Sequence, residues 1–237
     1  MNSLSREDFF KEWSRLHGNA EIRGIVRAWL TISFASARFL EKLRISADGL
    51  TLIGVLFSLA LLASLYPGQE EAQTSRILLA LIFLIIALAA DGIDGSVALI
   101  SGTASRRGAA LDAIADRVAE SLWAYAFILL GAEPVIVIVA WLVAQIQEYV
   151  RARLGGIGVV DIGVVTICER PVRASLLAVG LVVAAILSLL DIGLSDDFLN
   201  MSAASWISAV ALLWLIFQAI AFVQLSRFAI RSTIGPR

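Results

Sequence analysis

Four aspartates, Asp91, Asp94, Asp112 and Asp116, interrupt an almost unbroken hydrocarbon sequence in the stretch DGIDGSVALISGTASRRGAALDAIAD. An ionised carboxylate at membrane depth costs roughly 2.5–3.5 kcal/mol on insertion scales, and four together also repel one another. Such a cluster calls for a cation. Carboxylate oxygens with no imidazole or thiolate among them suit a hard divalent ion, Mg2+ or Mn2+, the former often shared between a few carboxylates and a substrate phosphate. Four acids have the capacity for two ions while leaving one carboxylate partly free as a base, an arrangement for phosphoryl chemistry on a diphosphate.

Positioning these acids requires helices. Residues three or four apart share a helical face, so Asp91 projects with Asp94 and Asp112 with Asp116. Extending those faces adds Gly95 and Ala98 on one helix and Gly108 on the other, small residues that leave room above the carboxylates for a ligand. Two other uses of the acids stand beside this one. They could pair with Arg106, Arg107 and Arg117 and merely fix helix packing, or they could serve a membrane cation or metal transporter. Against the transporter, the acids lie toward one membrane face and the helices show no Pro break.

The surrounding chain is 237 residues long, 59% hydrophobic and 16% charged, a balance found in multi-pass membrane proteins. Its single Cys168 excludes an intramolecular disulfide and its single His17 argues against a histidine-rich metal site. The N-terminus lacks a basic start followed by an apolar core, so no cleavable signal is expected. Phe9, Phe10, Trp13 and Leu16 recur at helical spacing and predict a helix on the membrane surface, or failing that a loosely packed tail. Residues 24–43 carry Arg27, Arg38, Glu41 and Lys42 among apolar residues and read as a second interfacial or steeply tilted helix. Asp48 and Gly49 make a plausible cap for the first span, which ends at Tyr66, Pro67 and Gly68.

Further spans are predicted from about Ile77 to Ile100, Gly108 to Leu130, Val135 to Tyr149, Ala174 to Leu190 and Ala203 to Val223. The expected fold is therefore all-α and integral to the membrane: six transmembrane helices over residues 47–237, preceded over residues 1–46 by an interfacial amphipathic segment, in one structural domain overall. Arg106, Arg107, Arg151, Arg153, Arg170, Arg173, Arg227 and Arg231 fall on the side of the termini. Glu70, Glu71, Glu133, Asp191, Asp196 and Asp197 fall on the other, with Arg76 as its only basic residue. By the positive-inside rule the termini and the aspartates face the cytoplasm of a cell membrane.

The same residues resemble the CDP-alcohol phosphotransferase family, whose motif is D-x-x-D-G-x-x-A-R-x8-G-x-x-x-D-x-x-x-D. The match covers Asp91, Asp94, Gly95, Ala98, Gly108, Asp112 and Asp116 at the motif's spacing, and six spans after a surface helix are similar to the family over most of the chain. The resemblance implies a phospholipid-biosynthesis enzyme that moves a phospho-alcohol unit from a CDP-alcohol, such as CDP-diacylglycerol, to an acceptor alcohol and releases CMP. It implies Asp91, Asp94 and Asp112 as principal metal ligands for two Mg2+ or Mn2+ ions. Asp116 is implied as the base, shared in part with the second metal. Gly95, Ala98 and Gly108 would admit the cytidine nucleotide, with Asp48 and Thr51 beside them. The implied partners are the CDP-linked lipid donor, the polar acceptor, membrane lipids and a second copy of the chain; no nucleic acid is expected.

One position departs from the motif, since Leu99 stands where the family has Arg, and leucine cannot replace a guanidinium. Arg106 or Arg107 could supply the missing charge, the substrate could dispense with it, or the chain could be a weakened CDP-alcohol-binding relative. A second basic cluster follows in TICERPVRAS, which sets Glu169, Arg170 and Arg173 at the start of the fifth span with Arg151 and Arg153 before it. Two arginines three apart can grip a phosphate. The E-R-P-x-R order resembles phosphatidylinositol-phosphate synthases, which implies inositol phosphate as acceptor and Arg106, Arg107, Arg151, Arg153, Arg170 and Arg173 as its candidate partners. The plain alternative is positive-inside anchoring, with Pro171 opening a helix. Glu120, one turn beyond Asp116, could support that base or pack against Arg117 or the fourth span.

Overall fold

A backbone in hydrocarbon must satisfy its own polar groups, and long runs of Leu, Ile, Val and Ala do so as helices. The computed structural model of the chain describes residues 4–16, 18, 20–66, 74–159, 165–192, 196–199 and 201–233. His17, Pro67, Gly68, Glu70 and Glu71 lie outside the described residues. The helices are α1 (Arg6–Leu16), α2 (Gly24–Lys42), α3 (Ala47–Leu65), α4 (Thr74–Ser101), α5 (Arg106–Leu129), α6 (Pro134–Gly156), α7 (Arg170–Leu189) and α8 (Ala203–Thr233). A two-stranded antiparallel hairpin, β1 (Asp197–Phe198) and β2 (Met201–Ser202), precedes α8 and was not foreseen.

Among the described residues, α3, α4, α6, α7 and α8 are long and apolar enough to cross a membrane. They make this a multi-pass membrane protein. α5 has comparable length but carries Arg106, Arg107, Asp112, Asp116, Arg117 and Glu120. Exposed leucines and isoleucines such as Leu52, Leu56, Ile82, Ile85, Leu213 and Ile216 present apolar surface suited to lipid.

The chain forms two compact units, residues 1–57 with 85–118, and residues 58–84 with 119–237. In the first, Phe9, Leu30, Ala37, Leu50, Ala90, Val97 and Ile100 form the core. α1 is seated on α2 through Phe9, whose ring lies 5.3 Å from that of Phe34. The apolar face of α1, expected to rest on the membrane, thus packs inward at Phe9. α2 meets α4 through a buried pair of hydroxyls, Ser33 and Ser96, 2.6 Å apart. At the same junction Trp29 lies so close to Gly92 that a Cβ there would stand 2.6 Å from the ring. The cap of α3 is Ser46, whose hydroxyl accepts the Gly49 N–H at 3.1 Å. Asp48, which the sequence offered as the cap, lies inside the first turn of the helix and so is free to face elsewhere.

In the second unit, Leu61, Ile77, Phe127, Leu177, Leu181 and Ile207 are fully buried. Gly180 is buried against Phe127, where a Cβ would stand 2.9 Å from the ring. Trp123 donates its indole N–H to Ser58 at 3.2 Å, and Gln218 of α8 donates to Gln147 of α6 at 2.8 Å. Such polar staples replace part of the hydrophobic drive that lipid does not supply between helices.

Candidate active site

The first unit carries all four aspartates, and the turn between α4 and α5 sets their geometry. α4 stops because Gly102 adopts a left-handed φ of +66°, which lets the Thr103 N–H reach back to the Ala98 carbonyl at 2.9 Å. α5 then starts on Ser105, whose hydroxyl accepts the Gly108 N–H at 3.1 Å. Through this short connection Asp91, Asp112 and Asp116, all half-buried, each offer a carboxylate oxygen within 4.8 Å of the others. Three hard oxygens at that spacing fit one divalent cation.

Asp94 stands apart from that trio. It is buried, with Oδ2 accepting the Thr51 hydroxyl at 2.6 Å and Oδ1 accepting the Gly95 N–H at 2.6 Å. A carboxylate has about four lone-pair sites, so these two bonds orient Asp94 without exhausting it. Arg117, one of the arginines considered as a partner for the acids, approaches Asp116 at 4.0 Å.

A pocket of about 380 Å³ opens over these residues. Its walls include Asp48, Thr51, Asp91, Asp94 and Asp112, together with the small positions Gly95, Ala98 and Gly108. The space is real at Gly95, where an added Cβ would meet nothing within 4 Å; at Gly108 the nearest side-chain atoms belong to Ser105 and Asp48. Leu99 also lines the pocket while packing against the first unit's core. Two further wall residues, Trp13 and Leu16 of α1, were not anticipated as site residues. Their signal was present in the helical recurrence of Phe9, Trp13 and Leu16, but an apolar stripe does not say whether it faces lipid or protein.

The arginines fall into two groups. Arg106 and Arg107 open α5 and are exposed. In the second unit, Arg173 is only 3% exposed and is engaged on every side. Its guanidinium lies 2.8 Å from Glu120 and 2.9 Å from Glu148, and also donates to the Cys168 carbonyl at 3.2 Å. Glu120 is therefore a partner of α7, which the sequence did not suggest. Arg151 grips Glu169 through two bonds of 2.8 Å each, Arg170 lies over the Trp123 ring at 5.2 Å, and Arg153 is exposed.

Glu169, just ahead of α7, also accepts the N–H and hydroxyl of Thr166 at 2.7 and 2.8 Å. Burial alone would raise its pKa, but the Arg151 guanidinium and the Thr166 donors prevail and hold it at about 2. Burial likewise pushes the Cys168 thiol up to about 11, leaving it protonated and inert at neutral pH.

The sequence profile of the CDP-alcohol phosphatidyltransferase family matches residues 44–232. The chain is 29% identical over 215 residues to a phosphatidylinositol phosphate synthase of Streptomyces avermitilis, covering 87% of this chain and 84% of that protein. It is 33% identical over 78 residues to an archaetidylinositol phosphate synthase of Aeropyrum pernix, covering 33% of this chain and 40% of that protein. Its fold is similar to that of the Mycobacterium tuberculosis phosphatidylinositol phosphate synthase. A crystal structure of that protein with manganese and citrate aligns with a TM-score of 0.62 at 19% identity, over 86% of this chain and 93% of that one. A second, with CDP-DAG bound, aligns with a TM-score of 0.63 at 19% identity, over 87% and 98%. The chain belongs to the CDP-alcohol phosphatidyltransferase family.

Proposed function

We propose that this member of the CDP-alcohol phosphatidyltransferase family transfers a phosphatidyl group from CDP-diacylglycerol to the hydroxyl of inositol phosphate and releases CMP. The observation that carries the reading is the convergence of Asp91, Asp112 and Asp116 within 4.8 Å, the first two at the wall of a pocket that small residues keep open. Family membership replaces the transporter reading of the same acids. The acceptor is supported by the two relatives, which differ in the lipid they are named for and share inositol phosphate.

The donor set fits Mg2+ or Mn2+, being oxygen alone, with Asp91, Asp112 and Asp116 as the holding residues and Asp94, oriented by Thr51, completing it. Bound there, two such ions would offset charge on the diphosphate and on the departing CMP. The chain's own groups do the rest. Gly95, Ala98 and Gly108 give the nucleotide room, with Asp48 and Thr51 beside it. Asp116 takes the proton from the acceptor hydroxyl, whose oxygen bonds to the phosphorus bearing the lipid alcohol while the bond from that phosphorus to CMP breaks. Arg106, Arg107, Arg151, Arg153, Arg170 and Arg173 are the candidates for holding the acceptor's phosphate. Of these, Arg106, Arg107 and Arg153 are exposed, whereas the donors of Arg173 are already committed.

The reading includes α5 as a sixth span, its acids lying toward the membrane face. It also includes an interfacial N-terminal segment, termini and site on the cytoplasmic side, and a homodimer. Its test incubates the purified protein and Mg2+ or Mn2+ with CDP-diacylglycerol and a panel of alcohols, following CMP and identifying the lipid product by mass. Phosphatidylinositol phosphate is the expected product. Turnover with serine or glycerol phosphate but not inositol phosphate would overturn the acceptor.

A further inference from the structure

The pocket has two chemistries. Its lining includes carboxylates and the Thr51 hydroxyl, and also the side chains of Trp13, Leu16 and Leu99. Residues four and seven after Phe9 share its helical face, so the face that anchors α1 in the core at Phe9 continues at Trp13 and Leu16 onto the pocket. The helix is held to the core at Phe9, and its last turn is tied to the chain that follows it. Phe9 is fully buried beside Phe34, and the Ser14 hydroxyl donates to the Ala20 carbonyl at 2.8 Å. Leu99 and Trp13 pack against the same core cluster, so the apolar wall is shared between α1 and the metal-side helix α4. Leucine at position 99 keeps a guanidinium and its hydration out of that wall.

A nucleoside diphosphate divides in the same way. Its phosphates require the cation side, and its flat base gains by leaving water for an aromatic surface. Among the described residues Trp13 is the only aromatic side chain that lines the pocket. We propose that Trp13 is the nucleobase-binding residue of this site, and that Leu99 in place of arginine belongs to the docking of α1 that presents it. The inference rests on the phosphatidyl-transfer reading and extends it to a residue outside the aspartate motif.

The test measures binding, by calorimetry on the full-length protein in nanodiscs with Mn2+, of CMP, ribose 5-phosphate and inorganic pyrophosphate. Stacking on an aromatic side chain is lost in Trp13→Ala, so CMP binds roughly 5- to 150-fold more weakly. Pyrophosphate and ribose 5-phosphate, which lack a base, bind the variant as they bind the wild type. Trp13→Phe stays within a few-fold of the wild type for CMP, and Trp13→Leu, which keeps apolar bulk, repeats the loss should the alanine variant fail to fold. Equal weakening of CMP and pyrophosphate, or no change in CMP, overturns the assignment of Trp13. A wild-type protein that binds pyrophosphate but no CMP overturns the nucleotide reading itself.

Discussion

At the scale of single residues, environment assigns different work to side chains of one type. Asp91, Asp112 and Asp116 converge, whereas Asp94 is fixed by Thr51 and its own neighbouring N–H. Groups that orient metal ligands typically cost 10–100-fold in metal affinity when removed. Thr51→Val is therefore expected to weaken Mn2+ binding by roughly that factor, as read by titration of the Mn2+ paramagnetic signal; unchanged affinity would detach Asp94 from the metal set. The arginines divide similarly. Arg173→Ala leaves the buried Glu120 and the half-buried Glu148 without their shared cation, and an uncompensated buried charge such as that of Glu120 costs roughly 3–5 kcal/mol. Unfolding in detergent should show that loss, while Arg153→Ala, at an exposed side chain, should leave stability unchanged. Spacing alone could not separate Arg173 from its neighbours. A sequence of arginines three apart reads as a phosphate grip until the acids facing it from α5 and α6 are known.

At the scale of elements, the segment ahead of α7 offers two tests. Glu169 titrates at about 2 in the folded chain, below its ordinary 4.5. A depressed carboxyl contributes stability that is complete above the ordinary value and disappears as pH falls through the folded one. The melting temperature should therefore drop between about pH 4.5 and 2, and the drop should shrink in Glu169→Gln. A drop of equal size in the variant would place the acid sensitivity elsewhere. Cys168 is fully buried with a raised thiol pKa, so a maleimide at neutral pH should label it only after denaturation. Prompt labelling of the native protein would contradict the packing around α7. Helix positions were largely legible in the sequence, because runs of Leu, Val and Ala broken by Gly, Pro and charge leave few other structures at membrane depth. The caps were less so: Ser46, not Asp48, closes α3, since several residues near a helix start can accept the same N–H. The facing of α1 was not legible either, because an amphipathic stripe is the same pattern whether lipid or protein covers it.

At the scale of the whole molecule, the aspartate motif was legible because its spacing fixes both faces and small neighbours at once. What the sequence left open was the second wall of the pocket, built from a helix some eighty residues away by chain. A ligand that binds only the folded protein stabilises it by mass action. CMP at a hundred times its dissociation constant should add roughly 2.7 kcal/mol in Mn2+, and a chelator should abolish that gain in a thermal melt. The most direct measurement is the rate of CMP release from CDP-diacylglycerol and inositol phosphate in Mn2+, compared between the wild type and Asp112→Asn. Rapid release from the wild type and release near background from the variant is the predicted result. Release that survives loss of Asp112, or no release from the wild type with any acceptor, would contradict the assignment of residues 91–116 as a phosphotransfer site.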